Sequence, residues 1–123
     1  MTILIDGERL MLADVERVAR GGEPVVLDPA ARPKVLAARA VIERALADER
    51  KIYGVSTGFG PLSDVFISGA DRDALQANLL RSHALGTGSP IGEAETRATI
   101  LLRANVLAKG HSGVRPEVIE LLC

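Results

Sequence analysis

The sequence predicts a mainly α-helical fold with a small β-hairpin at its N-terminus. Apolar residues make up 47% of the 123, yet the only aromatics are one tyrosine and two phenylalanines. A core built from Leu, Val, Ile and Ala is the composition of helical packing more than of a sheet sandwich. Apolar residues also recur at three- and four-residue spacing in successive segments, each bounded by glycine, proline or a capping residue.

Thr2 to Met11 reads as two short strands about Asp6-Gly7, a pair that tolerates the positive φ of a tight hairpin turn. Leu12, Val15, Val18 and Ala19 then form the apolar face of a short helix that Gly21-Gly22 can stop. Pro24 to Leu27 is a brief extended run. Asp28 followed by Pro29 is a helix start, an acceptor followed by a residue with fixed φ and no amide hydrogen. That helix should reach about Arg50 with Val35, Ala38, Ile42, Ala45 and Leu46 on one face. Ser68 or Asp71 caps the next, through about Leu85, with Leu75, Leu79 and Leu80 as its apolar face and His83 beside them. From about Gly92 to Lys109 a further helix is apolar on nearly every side apart from Arg103 and Asn105, so it needs neighbours all round, and those two polar groups read most simply as buried and paired. Pro116 opens a last segment, Val118 to Cys123, which stops without a glycine, a basic last turn or a cap. Residues 1–123 therefore read as the truncated N-terminal domain of a larger protein.

Between the second and third helices lies Lys51-Ile-Tyr-Gly-Val-Ser-Thr-Gly-Phe-Gly-Pro-Leu62, a β-prone run (Lys51 to Val55) emptying into a loop. Gly54, Gly58 and Gly60 let its backbone approach a ligand closely. The loop carries Tyr53, the single tyrosine, and Phe59. One reading is a mobile loop that brings a phenol into a site; the other is an ordinary glycine-rich connection whose aromatic packs inward.

Several function classes find no support. The net charge of −1, from 15 basic and 16 acidic residues, offers nothing to steer nucleic acid or an anionic membrane. No stretch of 18 apolar residues spans a bilayer, and Asp6 and Glu8 fall where a signal peptide needs its apolar segment. Cys123 is the single cysteine, which excludes an internal disulfide and makes a cytoplasmic chain the expectation. Neither Gly58-Phe-Gly60 nor Gly86-Thr-Gly88 completes a dinucleotide fingerprint, and no phosphate-loop pattern occurs. His83 and His111 are too far apart and too poor in partner ligands to suggest a metal site.

Three blocks in order, Tyr53-Gly-Val-Ser-Thr-Gly-Phe-Gly60, Leu75-Gln-Ala-Asn-Leu-Leu-Arg-Ser-His-Ala-Leu-Gly86 and Arg103-Ala-Asn-Val-Leu-Ala-Lys-Gly-His-Ser-Gly-Val-Arg-Pro116, resemble the N-terminal part of the histidine and aromatic amino acid ammonia-lyase family. The resemblance implies the helical ammonia-lyase (fumarase/aspartase-like) fold, a homotetramer, and loss of ammonia from a small-molecule amino acid to leave an α,β-unsaturated acid. It also implies a methylidene-imidazolone (MIO) electrophile made from an Ala-Ser-Gly triad. No such triad occurs in these residues, so the fragment alone is expected to be inactive and to need the remainder of its polypeptide. Tyr53 matches the family's base on a mobile loop. A phenol ordinarily loses its proton near pH 10, so a phenolate ready at neutral pH needs about 4 kcal/mol of stabilisation from hydrogen bonds or positive charge. Ser82-His83 matches the position that contacts the substrate side chain. The pair resembles histidine ammonia-lyases and also some tyrosine aminomutases, whereas tyrosine lyases more often show His-Leu and phenylalanine lyases Phe-Leu. Histidine going to urocanate is therefore the expected reaction, with tyrosine lyase or 2,3-aminomutase as the alternative. Ser56 and Leu85 depart from the residues common at their positions, and Leu85 is close enough to His83 to reshape the pocket. A reading of another class is a non-catalytic helical interaction module that keeps the fold without its chemistry.

Overall fold

A computed structural model describes all residues, Met1–Cys123. The chain divides into two compact units, Met1–Val41 with Pro90–Cys123, and Ile42–Ser89. Strand β1 (Ile3–Ile5), helix α1 (Leu12–Gly21), strand β2 (Val25–Leu27) and the start of helix α2 (Arg32–Ala47) belong to the first unit. Helices α4 (Glu93–Ala108) and α5 (Pro116–Leu122) complete it. The second unit holds the end of α2, the glycine loop with a 3₁₀ turn at Gly60–Leu62, and helix α3 (Arg72–His83).

The mainly helical fold stands, but the expected hairpin does not. β1 pairs in parallel with β2, in register Ile3 with Val25, Leu4 with Val26 and Ile5 with Leu27. Asp6-Gly7 does turn the chain. The Asp6 carboxylate accepts the Glu8 and Arg9 amides, both at 2.9 Å, and Gly7 takes φ +89°. The turn leads into α1 instead of a returning strand, because Leu12, with Val15 and Val18, continues a helical repeat and not an alternating one. α1 is then the crossover that a parallel pair requires. Ile3, Ile5, Val25 and Leu27 are buried while Leu4 and Val26 between them face outward, the period of two that a one-sided sheet demands.

Those strand residues join Val18, Ala31, Val35, Leu101, Ala104, Ala108 and Ile119 in one core cluster. Small residues at Ala104 and Ala108, one turn apart and fully buried, let α4 lie close to its neighbours. Asn105, half-buried on the same helix, accepts the Gly7 amide at 2.9 Å. A Cβ on Gly7 would stand 2.7 Å from the Lys109 amide nitrogen, so glycine is required there for space as well as for φ. Arg103 is exposed, contrary to the expectation that it is buried and paired, since it points away from the Leu101–Ala104–Ala108 face.

Helix boundaries shift by a few residues. Asp28 Oδ1 accepts the Ala30 amide at 2.8 Å and its carbonyl accepts the Ala31 amide at 2.9 Å, so it caps a turn from which α2 emerges only at Arg32. Arg9 Nη2 meets Asp28 Oδ2 at 2.6 Å and Arg9 Nε meets Asp6 Oδ2 at 2.5 Å. One guanidinium thus ties the end of β1 to the end of β2.

Candidate functional site

The glycine loop is folded by its hydroxyls. Lys51 to Val55 forms turns, not the strand its composition suggests, because Ser56 and Thr57 satisfy the backbone locally. The Ile52 amide donates to Ser56 Oγ at 2.9 Å, and Ser56 Oγ donates to the Arg50 carbonyl at 2.5 Å. The Gly54 amide donates to Thr57 Oγ1 at 3.3 Å, and that hydroxyl donates to the Gly58 carbonyl at 3.1 Å. Both side chains are buried, where an unpaired hydroxyl would be costly. Thr57 also pairs with Phe66 in an antiparallel bridge, with Gly58 N donating to Val65 O at 3.3 Å and Ile67 N to Ser56 O at 2.9 Å.

This framework holds the two aromatics edge to face. The Tyr53 and Phe59 ring centroids are 5.7 Å apart at 81°, the arrangement favoured by their quadrupoles. Gly54 permits it: its φ is +69°, and a Cβ there would lie 2.9 Å from Phe59 Cε1. Gly58 is closed to a side chain in the same way, with Leu62 Cβ 2.6 Å from where its Cβ would be. Gly60, at φ +55°, has open space around it, so only its backbone conformation asks for glycine. Tyr53 is 64% exposed, so its phenol is not packed inward.

Helix α3 supplies the opposite wall. Asp71 is its N-cap residue by position, and the Ser68 hydroxyl donates to Asp71 Oδ2 at 2.6 Å. At its other end Ser82 and His83 lie in the last turn. Phe59 from the loop, Leu79, Leu80 and His83 from α3 and Ala84 just beyond it line one open hollow of about 440 Å³. The structure therefore brings Phe59 and His83 to one hollow and sets Tyr53 against Phe59. Tyr53, Ser82 and Leu85 are not among the lining residues. Ala84 is a lining residue that sequence reasoning passed over, and its proximity in sequence to His83 was the only signal for it. The hollow is an apolar slot with one imidazole in its wall, and the Tyr53 phenol contacts its Phe59 ring without lining it. Such a site can hold a flat side chain and offer it one polar contact.

An apolar slot with one polar group in its wall is the arrangement of a small-molecule site. Residues 10–123 match the aromatic amino acid lyase family, and the chain belongs to that family. The chain is 51% identical over 121 residues to a histidine ammonia-lyase of Anaeromyxobacter dehalogenans and 50% identical over 120 to one of Geobacillus thermodenitrificans. In both cases 98% of this chain matches 24% of the relative, so it spans about a quarter of their length. Among solved structures it superposes on histidine ammonia-lyase from Trypanosoma cruzi with a TM-score of 0.89 at 34% identity, covering 99% of this chain and 24% of that one. Tyrosine aminomutase from Streptomyces globisporus gives 0.91 at 37% identity, covering 99% and 23%.

Proposed function

We propose that the enzyme carrying this chain eliminates ammonia from histidine to give urocanate. Tyr53 is the base that takes the β-proton, and His83 meets the substrate side chain. The observation that carries this reading is the hollow lined by both His83 and Phe59, with Tyr53 in edge-to-face contact with Phe59. The identity of about 50% to histidine ammonia-lyases supports histidine over tyrosine. The tyrosine aminomutase likeness keeps tyrosine as the second reading.

The β-carbon gives its proton to the phenolate oxygen, and the C–H electron pair becomes the new double bond. The α-carbon to nitrogen bond breaks, and ammonia departs with its pair. The flat walls of Leu79, Leu80 and Phe59 hold the ring, while Gly54, Gly58 and Gly60 allow the loop its close approach. The loop's hydrogen bonds, within itself and to Arg50, Val65 and Ile67, seat the segment that carries Tyr53. In this reading an Ala-Ser-Gly-derived methylidene-imidazolone makes the amino group a better leaving group. None of the 123 residues forms that triad and the hollow's lining does not supply it, so the group comes from outside this chain. The enzyme acts as a homotetramer in the cytoplasm; no helix here is long and apolar enough to cross a membrane.

Ultraviolet absorbance of the intact enzyme with histidine, tyrosine and phenylalanine in turn tests the reading. Urocanate from histidine is expected. Conjugated acid from tyrosine alone would overturn the substrate, and a β-amino acid from tyrosine, seen by mass spectrometry, would favour the aminomutase.

A further inference from the structure

Three hydrogen-bonding groups converge at the C-terminal turn of α3. Ser82 Oγ lies 3.0 Å from the Leu79 carbonyl oxygen and 2.8 Å from His83 Nδ1. His83 Nδ1 lies 3.1 Å from the same carbonyl. The carbonyl only accepts, and the hydroxyl has one proton to give. If Ser82 gave that proton to Nδ1, lone pairs would face each other both between Nδ1 and Leu79 and between Ser82 and Leu79. With a proton on Nδ1 instead, the Ser82 hydroxyl donates to Leu79 and Nδ1 donates to Ser82 and Leu79. All three contacts are then attractive, and the identity of the protonated nitrogen follows from what the other contacts require. Nε2 makes no hydrogen bond within the chain.

We infer that Ser82 is a positioning residue which, with the Leu79 carbonyl, keeps the proton of His83 on Nδ1, so that Nε2 offers an acceptor to a side chain bearing an N–H or O–H donor. This rests on the proposed reading of His83 as the substrate-binding residue. It departs from the expectation that Ser82 itself touches substrate, because its hydroxyl is already engaged and it does not line the hollow. An imidazole or a phenol satisfies Nε2. A bare phenyl ring strips it of water and returns nothing, the kind of mismatch that polar sites reject strongly.

Calorimetric binding of urocanate and cinnamate, flat acids that differ in carrying an imidazole or a phenyl ring, tests this on the intact enzyme. The parent is expected to prefer urocanate by about tenfold or more, the worth of one well-made hydrogen bond. Ser82→Ala should cut that preference by about 5-fold while cinnamate binding stays within about 2-fold, and Ser82→Thr should restore it. Equal weakening of both acids, an unchanged preference in Ser82→Ala, or a parent that does not bind urocanate in preference would overturn the inference. Failure of the lyase reading appears separately, as no ammonia released from histidine or tyrosine by the parent.

Discussion

At the scale of single residues, charge and hydroxyl chemistry set what the chain can do. Asp6 accepts the backbone amides of Arg9 and Glu8 and the Arg9 guanidinium, which together hold its carboxyl well below the usual carboxylate range. A carboxyl whose folded value is depressed stabilises the fold above the ordinary value of about 3.9 and loses that contribution as pH falls below it. Asp6→Asn should therefore lower the urea midpoint at pH 7, and the gap to the parent should narrow at pH 3. An equal gap at both pH values would show that the charge is not what matters. Tyr53, His83 and the three loop glycines were legible in the sequence because each is rare or conformationally special. The Ser56 and Thr57 hydroxyl network was not, since nothing in a Val-Ser-Thr-Gly run says that the hydroxyls will fold inward. The engagement of Ser82 with Leu79 and His83 depends on a helix end that sequence places only to within a turn.

Among the elements, α4 divides most sharply between what is covered and what is open. Leu101 is 2% exposed and its neighbour Leu102 is 48% exposed. Leu101→Ala should cost about 2–4 kcal/mol by leaving a cavity, and Leu102→Ala under about 1 kcal/mol. Denaturant titration checks both, and equal losses would contradict the assigned core face. The periodicity of α1, α2, α3 and α4 announced the helices, because a 3.6-residue repeat needs no knowledge of the partner. The partner of β1 was hidden: three residues, Ile3–Ile5, pair equally well with a hairpin return or with a strand on the far side of a helix, and the core decides. The start of α2 moved from Pro29 to Arg32 because Asp28 spends its side chain on the Ala30 amide and on Arg9, a long-range tie that local capping rules do not see.

The whole chain leaves apolar surface open. Leu102 and Val106, one turn apart on α4, and Leu121 on α5 are exposed in the first unit, and Leu80 and Leu85 in the second; large apolar side chains open side by side on one helix favour association. The 123-residue chain should therefore self-associate as its concentration rises, and light scattering that reports a clean monomer at high concentration would contradict this. Residues 10–123 match the aromatic amino acid lyase family, and the chemistry proposed for the hollow rests on that membership. The proposed mechanism turns on the phenol among the glycines acting as the base. The direct measurement is turnover of histidine by the intact enzyme with Tyr53→Phe, set beside histidine binding by the same variant. Turnover should fall by about 10²- to 10⁴-fold, the range for loss of a positioned base, with binding changed by less than about 3-fold. Turnover within about 3-fold of the parent would remove Tyr53 from the chemistry.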